Sequence, residues 1–350
     1  MQPANETSEQ IAREILQSGV DLPPLPAVFS QLLAMSRQPE DKIDINKFTK
    51  LVQTDPALTS RILQLANSSY YGSLQKTVNL RLAIMRLGLQ ETISTVSWML
   101  CQKALPRFPV LEGFSDIDYW AHSWACATAN RMLGHPDLKV NSHPGDLYIA
   151  GLLHGIGRLI LALHKREDFR QCLINAHDFS QPLEAAELEF FGTTEACIAG
   201  EVLKSWQFPE PICSAVRYCR NPEDAPPAFT EIAALTQFAY YLASTSGVGN
   251  NGDEFSFDFT DTYLCKQETS QFADPAFLGD LVATIHQALR QKSPSFTGVQ
   301  ATTRPRRSRQ AESVEAEQAA SLSPTRKKPG RLSRALLALR RLFSRRTTRG

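Results

Sequence analysis

Apolar residues in this chain recur at helical spacing through most of its first 291 positions. Periods near 3.6 residues predict helices over 91–105, 116–133, 146–164, 169–176, 230–244 and 275–291. Proline and glycine separate these segments. Strand-like alternation is nowhere sustained, and the nearest case, 254–259, is predicted to be a loop or a short edge segment. The pattern therefore predicts an all-α fold.

Helix-boundary signals mark the first quarter of the chain. Asp55 is a good N-cap residue, and Pro56 after it suits the first helical position. A further helix over 78–88 is expected to stop at Gly88 as its C-terminal cap. Three prolines within 21–26 predict a rigid extended entry, because proline fixes φ and removes amide donors, although a linker would have a similar composition.

Composition and cysteine usage indicate a folded chain in a reducing compartment. At 350 residues and 43% hydrophobic, the chain can bury one large core or two smaller ones. Its seven cysteines are scattered singly, which argues against a disulfide framework or a zinc ribbon. Residues 1–20 contain no apolar run of the kind found in a secretory signal, and the apolar stretch 149–164 is interrupted and too short to span a membrane. A cytoplasmic location is expected.

Charge is divided unevenly along the chain. Residues 304–350 hold 14 Lys and Arg against 3 Glu, which leaves 23 basic against 33 acidic residues in 1–303. The whole chain is nearly neutral at +1, but it consists of an acidic body and a basic tail.

The tail divides into two predicted parts. Residues 293–330 are expected to be a disordered linker, since too few apolar side chains remain there to bury. Residues 331–350 form a basic amphipathic segment, whose apolar and basic positions are Leu332, Leu336, Leu339 and Phe343, and Arg334, Arg341 and Arg345. Three interpretations stay open: an interfacial helix on anionic lipid, which is favoured; binding to nucleic acid or a protein groove; and docking on the acidic body.

A single histidine, His154, interrupts the apolar helix over 150–158. A lone histidine in such a setting is most often a structural residue. The stretch resembles the Ala-Gly-Leu-Leu-His-Asp-Ile-Gly motif of the HD superfamily of metal-dependent phosphohydrolases, with Gly155 in place of the metal-binding aspartate. Glycine has no side chain with which to ligate an ion, so the resemblance implies a metal site that lacks an anionic ligand.

The other ligand positions follow from the same resemblance. His122, in a Trp-x-His-Ser sequence, matches the first family histidine. Glu195 stands where the related HD-GYP enzymes have a further histidine, Cys219 and Arg220 replace their His-His pair, and Tyr240 replaces the last aspartate. Of the ligand set only His122 and His154 remain, and a guanidinium cannot ligate a cation. The resemblance thus implies no bound metal and no cofactor, with the two histidines packed near one another in the core.

Several separated motifs resemble the HDOD domain in the order that this family has them, over about residues 20–245. The residues that carry this resemblance are Leu25, Pro26, Asp55, Pro56, Leu63, Asn67, Ala83, Ile84, Leu87, Gly88, Gly151 and Leu152. HDOD domains are a metal-site-deficient branch of the HD fold, regarded as non-catalytic and usually found beside signalling modules. The predicted organisation is a helical extension over 1–20, a single HDOD domain over 21–245, and a C-terminal helical extension over 246–292 packed on it.

Three functional hypotheses result. The favoured one is a non-catalytic signalling or scaffold module that binds an unidentified signalling protein or a small regulatory ligand, with the tail attached to a partner or to the inner face of the membrane. A degenerate phosphohydrolase would act through His122, His154 and Glu195. A nucleic-acid-associated regulator would act through the tail, and is less favoured because the excess positive charge lies outside the folded body.

Overall fold

The computed structural model describes residues 3–18, 27–71, 75–107, 110–111, 113–255 and 258–298. Within these ranges the chain forms helices and turns, and the β pairing is a single isolated bridge between Leu111 and Phe114. The all-α prediction is confirmed. Leu25, Pro26 and residues 299–350 of the tail, including Leu332, Arg334 and the other predicted contact residues, lie outside the described residues.

The helices of the described residues run in this order: α1 (Pro3–Gln17), α2 (Ala27–Ser36), α3 (Ile45–Gln53), α4 (Pro56–Ala66), α5 (Leu80–Leu87), α6 (Leu89–Ala104), α7 (Asp116–Leu133), α8 (Pro144–Leu153), α9 (Ile156–His164), α10 (Arg166–Asp178), α11 (Leu183–Phe191), α12 (Glu195–Ser205), α13 (Glu210–Arg217), α14 (Thr230–Ser246), α15 (Tyr263–Lys266) and α16 (Pro275–Phe296).

The family-signature residues in α4 and α5 act structurally. Asp55 accepts hydrogen bonds from the backbone amides of Ala57 (2.9 Å) and Leu58 (3.4 Å), as an N-cap does. The side chain of Asn67 brackets Thr77, donating to its carbonyl oxygen and accepting from its amide, both at 2.9 Å. Gly88 joins α5 to α6 at a φ of 91°, a conformation that favours glycine.

The structure corrects the single helix predicted over 146–164. α8 ends at Leu153 and α9 begins at Ile156. Between them Gly155 has φ −98° and ψ 11°, which lies outside the α-helical region and interrupts the regular hydrogen-bond series. His154 therefore lies at a break between two helices rather than inside one.

Helix α7 forms the centre of the core and packs on α8, α14 and α16. Small residues permit the closest of these contacts. A Cβ on Gly151 of α8 would lie 2.8 Å from the Cα of Ala127, so any larger residue would push α8 away from α7. This close packing fixes the positions of His122 on α7 and of His154 at the end of α8.

The last helix continues beyond the predicted end at Gln291. Residues 293–296, predicted as the start of the disordered linker, belong to α16. Phe296 is buried and stacks on Trp124 with ring centroids 5.5 Å apart, while Arg61 donates to the carbonyl oxygens of Ser295 (3.0 Å) and Phe296 (2.6 Å). The sequence does not reveal this extension, because Phe296 is a single aromatic residue in a polar segment and its partner, Trp124, lies 172 positions away.

One stretch, Pro144–His164, is long and apolar enough to cross a membrane by length and composition alone, contrary to the expectation that this region is too short. However, most of it is buried inside the protein, where its apolar side chains form part of the core. Core helices of folded proteins have the same composition.

Candidate functional site

Three aromatic rings meet at the middle of the helical core. The ring centroids of His122 (α7) and His154 lie 5.4 Å apart, and Tyr240 (α14) lies 5.6 Å from the first and 5.5 Å from the second. All three side chains are fully buried. The structure thus brings together three of the positions that the HD resemblance singles out.

The hydrogen bond of His154 defines its tautomer. Its Nδ1 lies 2.7 Å from the carbonyl oxygen of Gly151, which can only accept, so Nδ1 carries the proton. Its Nε2 is buried and has no hydrogen-bond partner among the described residues. Burial lowers the pKa of His154 to about 4, and the nearby guanidinium of Arg220 adds to this effect against the opposing charge of Glu195. The imidazole is therefore neutral at physiological pH.

Arg220 places a positive charge beside these rings. Its Nη2 donates to Oε1 of Glu195 at 2.6 Å, and its guanidinium carbon lies 3.5 Å from the ring centroid of Tyr240. A guanidinium over an aromatic face is attracted by the ring quadrupole, and more strongly when both groups are desolvated. The interaction fixes Arg220 between a carboxylate and an aromatic ring.

A second arginine, Arg158, is entirely buried and extends the network. Its Nε donates to Oε1 of Glu187 at 2.8 Å, its Nη1 donates to the carbonyl oxygen of Asn251 at 3.3 Å, and its Nη2 lies 3.8 Å from Oδ2 of Asp253. The same Nη2 is 4.0 Å from Glu195. We call Arg158, Arg220, Glu187, Glu195 and Asp253 the central ionic cluster.

Close backbone packing holds this cluster in place. A Cβ on Gly157 would lie 2.0 Å from the carbonyl oxygen of Glu195, so α9 meets the start of α12 only because this residue is glycine. Gly249, with a φ of 69°, lies against α7, where a Cβ would be 2.4 Å from the amide nitrogen of His122. This approach brings the following loop over the site, and Asp253 there accepts a 2.9 Å hydrogen bond from the hydroxyl of Tyr240.

Burial and ion pairing compete over the carboxylates of the cluster. Burial alone would raise the pKa of Glu195, but the guanidiniums of Arg220 and Arg158 outweigh it, so that pKa lies below its usual range. Burial raises the pKa of Glu187, which Arg158 and the amide of Glu195 only partly offset. Glu195 is thus the ionised partner that both arginines share.

This donor set does not fit a divalent metal ion. Among the described residues, no three His, Cys, Asp or Glu side chains come together in a way that could hold a metal. Carboxylate and neutral imidazole are the usual ligands of such ions, and here the carboxylate of Glu195 is paired with Arg220. Gly155 offers no ligand, although a Cβ there would meet only the ring edge of Tyr119 at 3.4 Å.

Sequence reasoning missed three members of the central ionic cluster: Arg158, Glu187 and Asp253. Arg158 carried a signal, since a charged residue in an apolar helix requires a buried partner. Asp253 carried no such signal in the sequence, because its position depends on how the loop after α14 folds back on α7. Cys219, predicted at a former ligand position, is buried beside the cluster, and burial raises the pKa of its thiol to about 12.

The HDOD domain family matches residues 22–222, more than half of the chain. The chain belongs to the HDOD family. The HDOD match ends near the start of α14, whereas the predicted domain extends to residue 245.

Solved structures share the HDOD fold. An HDOD domain protein of unknown function from Geobacter sulfurreducens has a TM-score of 0.66 at 23% identity, with 81% of this chain and 97% of that chain covered. A candidate signal transduction protein from Marinobacter aquaeolei VT8 has a TM-score of 0.63 at 20% identity, covering 84% and 65%. A candidate phosphohydrolase from Shewanella amazonensis SB2B has a TM-score of 0.56 at 20% identity, covering 81% and 96%.

A curated relative, an uncharacterized protein of Treponema pallidum (strain Nichols), is 23% identical over 236 residues. The match covers 66% of this chain but only 44% of that protein. The HDOD chain therefore spans less than half the length of this relative. The likeness to the solved structures shows a shared fold, and the family match shows an HDOD domain.

Proposed function

We propose that this HDOD protein is a non-catalytic signalling or scaffold module. The observation that carries the proposal is the position of Arg220, whose guanidinium pairs with Glu195 and lies over Tyr240. By the family resemblance, Arg220 and Tyr240 stand at former ligand positions. The guanidinium of Arg220 is a cation that belongs to the protein, and it occupies a place where an HD hydrolase needs a ligand for its metal ion.

Electrostatics supports the same conclusion. A divalent ion entering beside His122 and His154 would face two guanidiniums, those of Arg220 and Arg158. The carboxylates that attract a cation in a hydrolase are here already paired inside the protein, and separating such a pair leaves a buried charge without a partner. The two arginines thus neutralise the buried carboxylates, as a metal ion does in a hydrolase.

The burial of these side chains also supports a non-catalytic function. His122, His154, Arg158, Glu195 and Tyr240 are all fully buried. Hydrolysis of a phosphate ester requires the scissile bond to reach the catalytic groups. A charged phosphate could approach these side chains only by displacing helices of the core.

Elemental analysis together with hydrolysis assays tests this proposal. The purified protein is expected to hold no stoichiometric metal and to leave phosphate esters, nucleotides and cyclic dinucleotides intact. The proposal is wrong if about one Mn, Fe or Mg per chain accompanies an activity that His154→Ala abolishes. His177→Ala, which changes an exposed histidine outside the cluster, is the matched control and should leave any such activity unchanged.

We further propose that the basic amphipathic tail attaches the protein to an anionic membrane surface at the cytoplasmic side. Its sequence supports this proposal, because Leu332, Leu336, Leu339 and Phe343 can enter the interface while the arginines contact headgroups. Each such arginine contributes about 1 kcal/mol near an anionic leaflet.

Vesicle sedimentation of the full chain tests the attachment. Binding to anionic vesicles should weaken with salt and fail in the Leu336→Ser/Leu339→Ser variant, because the electrostatic contacts alone are then left. Normal binding by that variant would contradict the proposal. A preference for duplex DNA over vesicles at physiological salt would instead support a nucleic-acid role.

A further inference from the structure

An exposed apolar patch lies on α5 and on the turn that leads into it. Leu82 and Met85 are three residues apart and share a face of this helix, and Val78 directly precedes its N-cap, Asn79. Their exposed fractions are 54% for Leu82, 63% for Met85 and 92% for Val78. We call these three side chains the α5 patch. Apolar side chains grouped in solvent on a folded body are typical of an interaction surface.

Hydrogen bonds hold the segment before α5 in place. The guanidinium of Arg86 donates to the carbonyl oxygen of Gln75 at 3.2 Å. The side chain of Asn67 bonds both the amide and the carbonyl oxygen of Thr77, each at 2.9 Å. Val78 therefore extends into solvent from an anchored backbone. Binding through such a side chain loses little conformational entropy, because the backbone that carries it is already ordered.

Basic side chains flank the α5 patch. Lys76 lies two positions before Val78, and Arg81 lies one helical turn before Met85; both basic side chains are exposed. Residues 56–90 contain four Lys and Arg and no acidic residue, although the folded body as a whole is acidic. The patch thus combines exposed apolar groups with positive charge.

Helix α3 adds two lysines to this surface. Arg81 donates to Oδ1 of Asn46 at 2.8 Å, which joins the start of α3 to α5. Lys47 follows Asn46 directly and Lys50 lies one turn after it, and both are exposed. The nearby carboxylate of Asp44 is engaged as the N-cap of α3, accepting from two amides of its first turn. The α3–α5 face is therefore basic.

The chain leaves the described part of the protein near this face. Helix α16 ends at Phe296, whose ring centroid lies 6.5 Å from that of Tyr71. Arg61 of α4 donates to the carbonyl oxygen of Phe296 at 2.6 Å, and α4 packs on α5. Tyr71 precedes Lys76 by five residues, a span of at most about 18 Å. The basic tail therefore starts from the neighbourhood of the α5 patch.

We propose that the α5 patch is a membrane-contact surface for an anionic lipid leaflet. Val78, Leu82 and Met85 enter the boundary between headgroups and acyl chains, and Lys76 and Arg81 contact the anionic headgroups. The inference goes beyond the proposed tail attachment, because this surface belongs to the folded body. A single weak contact gives only marginal membrane binding, whereas two linked contacts give stable attachment.

Charge and apolar content together favour lipid over other occupants of this face. Nucleic acid would bind the lysines and arginines through its phosphates, but these contacts leave the three apolar side chains in water. The basic tail segment 331–350 is repelled by the same cations. An anionic leaflet offers both the negative charge and the apolar interior that the α5 patch requires.

Hydrogen–deuterium exchange of the full chain tests the proposal, with vesicles that contain phosphatidylserine in phosphatidylcholine and with vesicles of phosphatidylcholine alone. Peptides covering residues 75–82 and 331–346 report the two contacts separately. We expect slower exchange in both peptides on the anionic vesicles only. Protection of 331–346 without 75–82 would overturn this inference and leave the tail attachment standing. Protection of 75–82 alone would support the inference and contradict the tail attachment, and protection of neither would overturn both.

Vesicle sedimentation of full-length variants gives a second measurement. Leu82→Ser/Met85→Ser should raise the Kd for the anionic vesicles by about tenfold or more, because two apolar contacts are lost. Ile117→Ser is the matched control: Ile117 is 68% exposed but lies between Asp116 and Asp118, so this variant should bind like the wild type. An unchanged Kd for Leu82→Ser/Met85→Ser would overturn the proposal. Protection of 75–82 that follows protein concentration instead of vesicles would also overturn it, by identifying a second copy as the occupant.

Discussion

The guanidinium Nη2 of Arg220 lies 2.6 Å from Oε1 of Glu195 in the interior of the helical core. The sequence resemblance places both residues at positions where related hydrolases have metal ligands, and here they bind each other. Removing one member of a buried ion pair leaves the other as an uncompensated charge. Both residues are therefore required for the stability of the fold.

Replacing Arg220 by methionine tests this requirement. The variant should lose about 3–5 kcal/mol of unfolding free energy, because Glu195 stays buried without its closest partner. Denaturant unfolding followed by circular dichroism measures the loss. Lys103→Met, which breaks an exposed pair with Asp55, is the control and should cost less than about 1 kcal/mol. Equal losses in the two variants would show that Arg220 is not buried as described.

Two glycine-to-alanine substitutions should have opposite effects. Gly157→Ala places a methyl group 2.0 Å from the carbonyl oxygen of Glu195 and should destabilise the protein by separating α9 from α12. Gly279→Ala, within α16, meets nothing within 4 Å and should stabilise the helix by up to about 1 kcal/mol. Thermal melting of both variants gives the comparison. A neutral result for Gly157→Ala would contradict the close contact.

The pH dependence of stability should report the buried His154. Its folded-state pKa of about 4 lies below the ordinary 6.5, so the unfolded chain binds more protons between these values. The neutral, buried form of His154 therefore makes its full contribution to the free energy of unfolding above about pH 6.5. This contribution is lost as the pH falls towards 4.

A difference measurement isolates this residue from the other titrating groups. The gap in unfolding free energy between wild type and His154→Gln should be largest at neutral pH and should shrink towards pH 4. An unchanged gap over this range would mean that His154 is not buried in the neutral form.

Phe296 tests the extended end of α16. Phe296→Ala should cost about 3–5 kcal/mol, since it removes a buried ring stacked on Trp124. Phe179→Ala, at an exposed phenylalanine, should change stability by less than about 0.5 kcal/mol. Denaturant unfolding distinguishes them. If both changes were harmless, residues 293–296 would be part of the linker after all.

The fold was predictable from local patterns, and the site only in part. Helix α7 has the predicted limits of 116–133, because its boundaries depend on Ser115 and Gly134 alone. The juxtaposition of His122 and His154 was expected from the family motifs. The partners of Arg158 were not, because Glu187 and Asp253 reach it from distant segments whose positions depend on packing rather than on spacing.

Under the proposed function, the side chains of Arg220 and Arg158 stand in place of the metal ion of an HD hydrolase. Anomalous diffraction at the manganese edge, from crystals grown with excess Mn²⁺, tests it most directly. We expect no anomalous peak near His122, His154 and Tyr240, with the guanidinium of Arg220 still lying against Glu195. A peak within bonding distance of His122 and His154, with Arg220 displaced from Glu195, would contradict it.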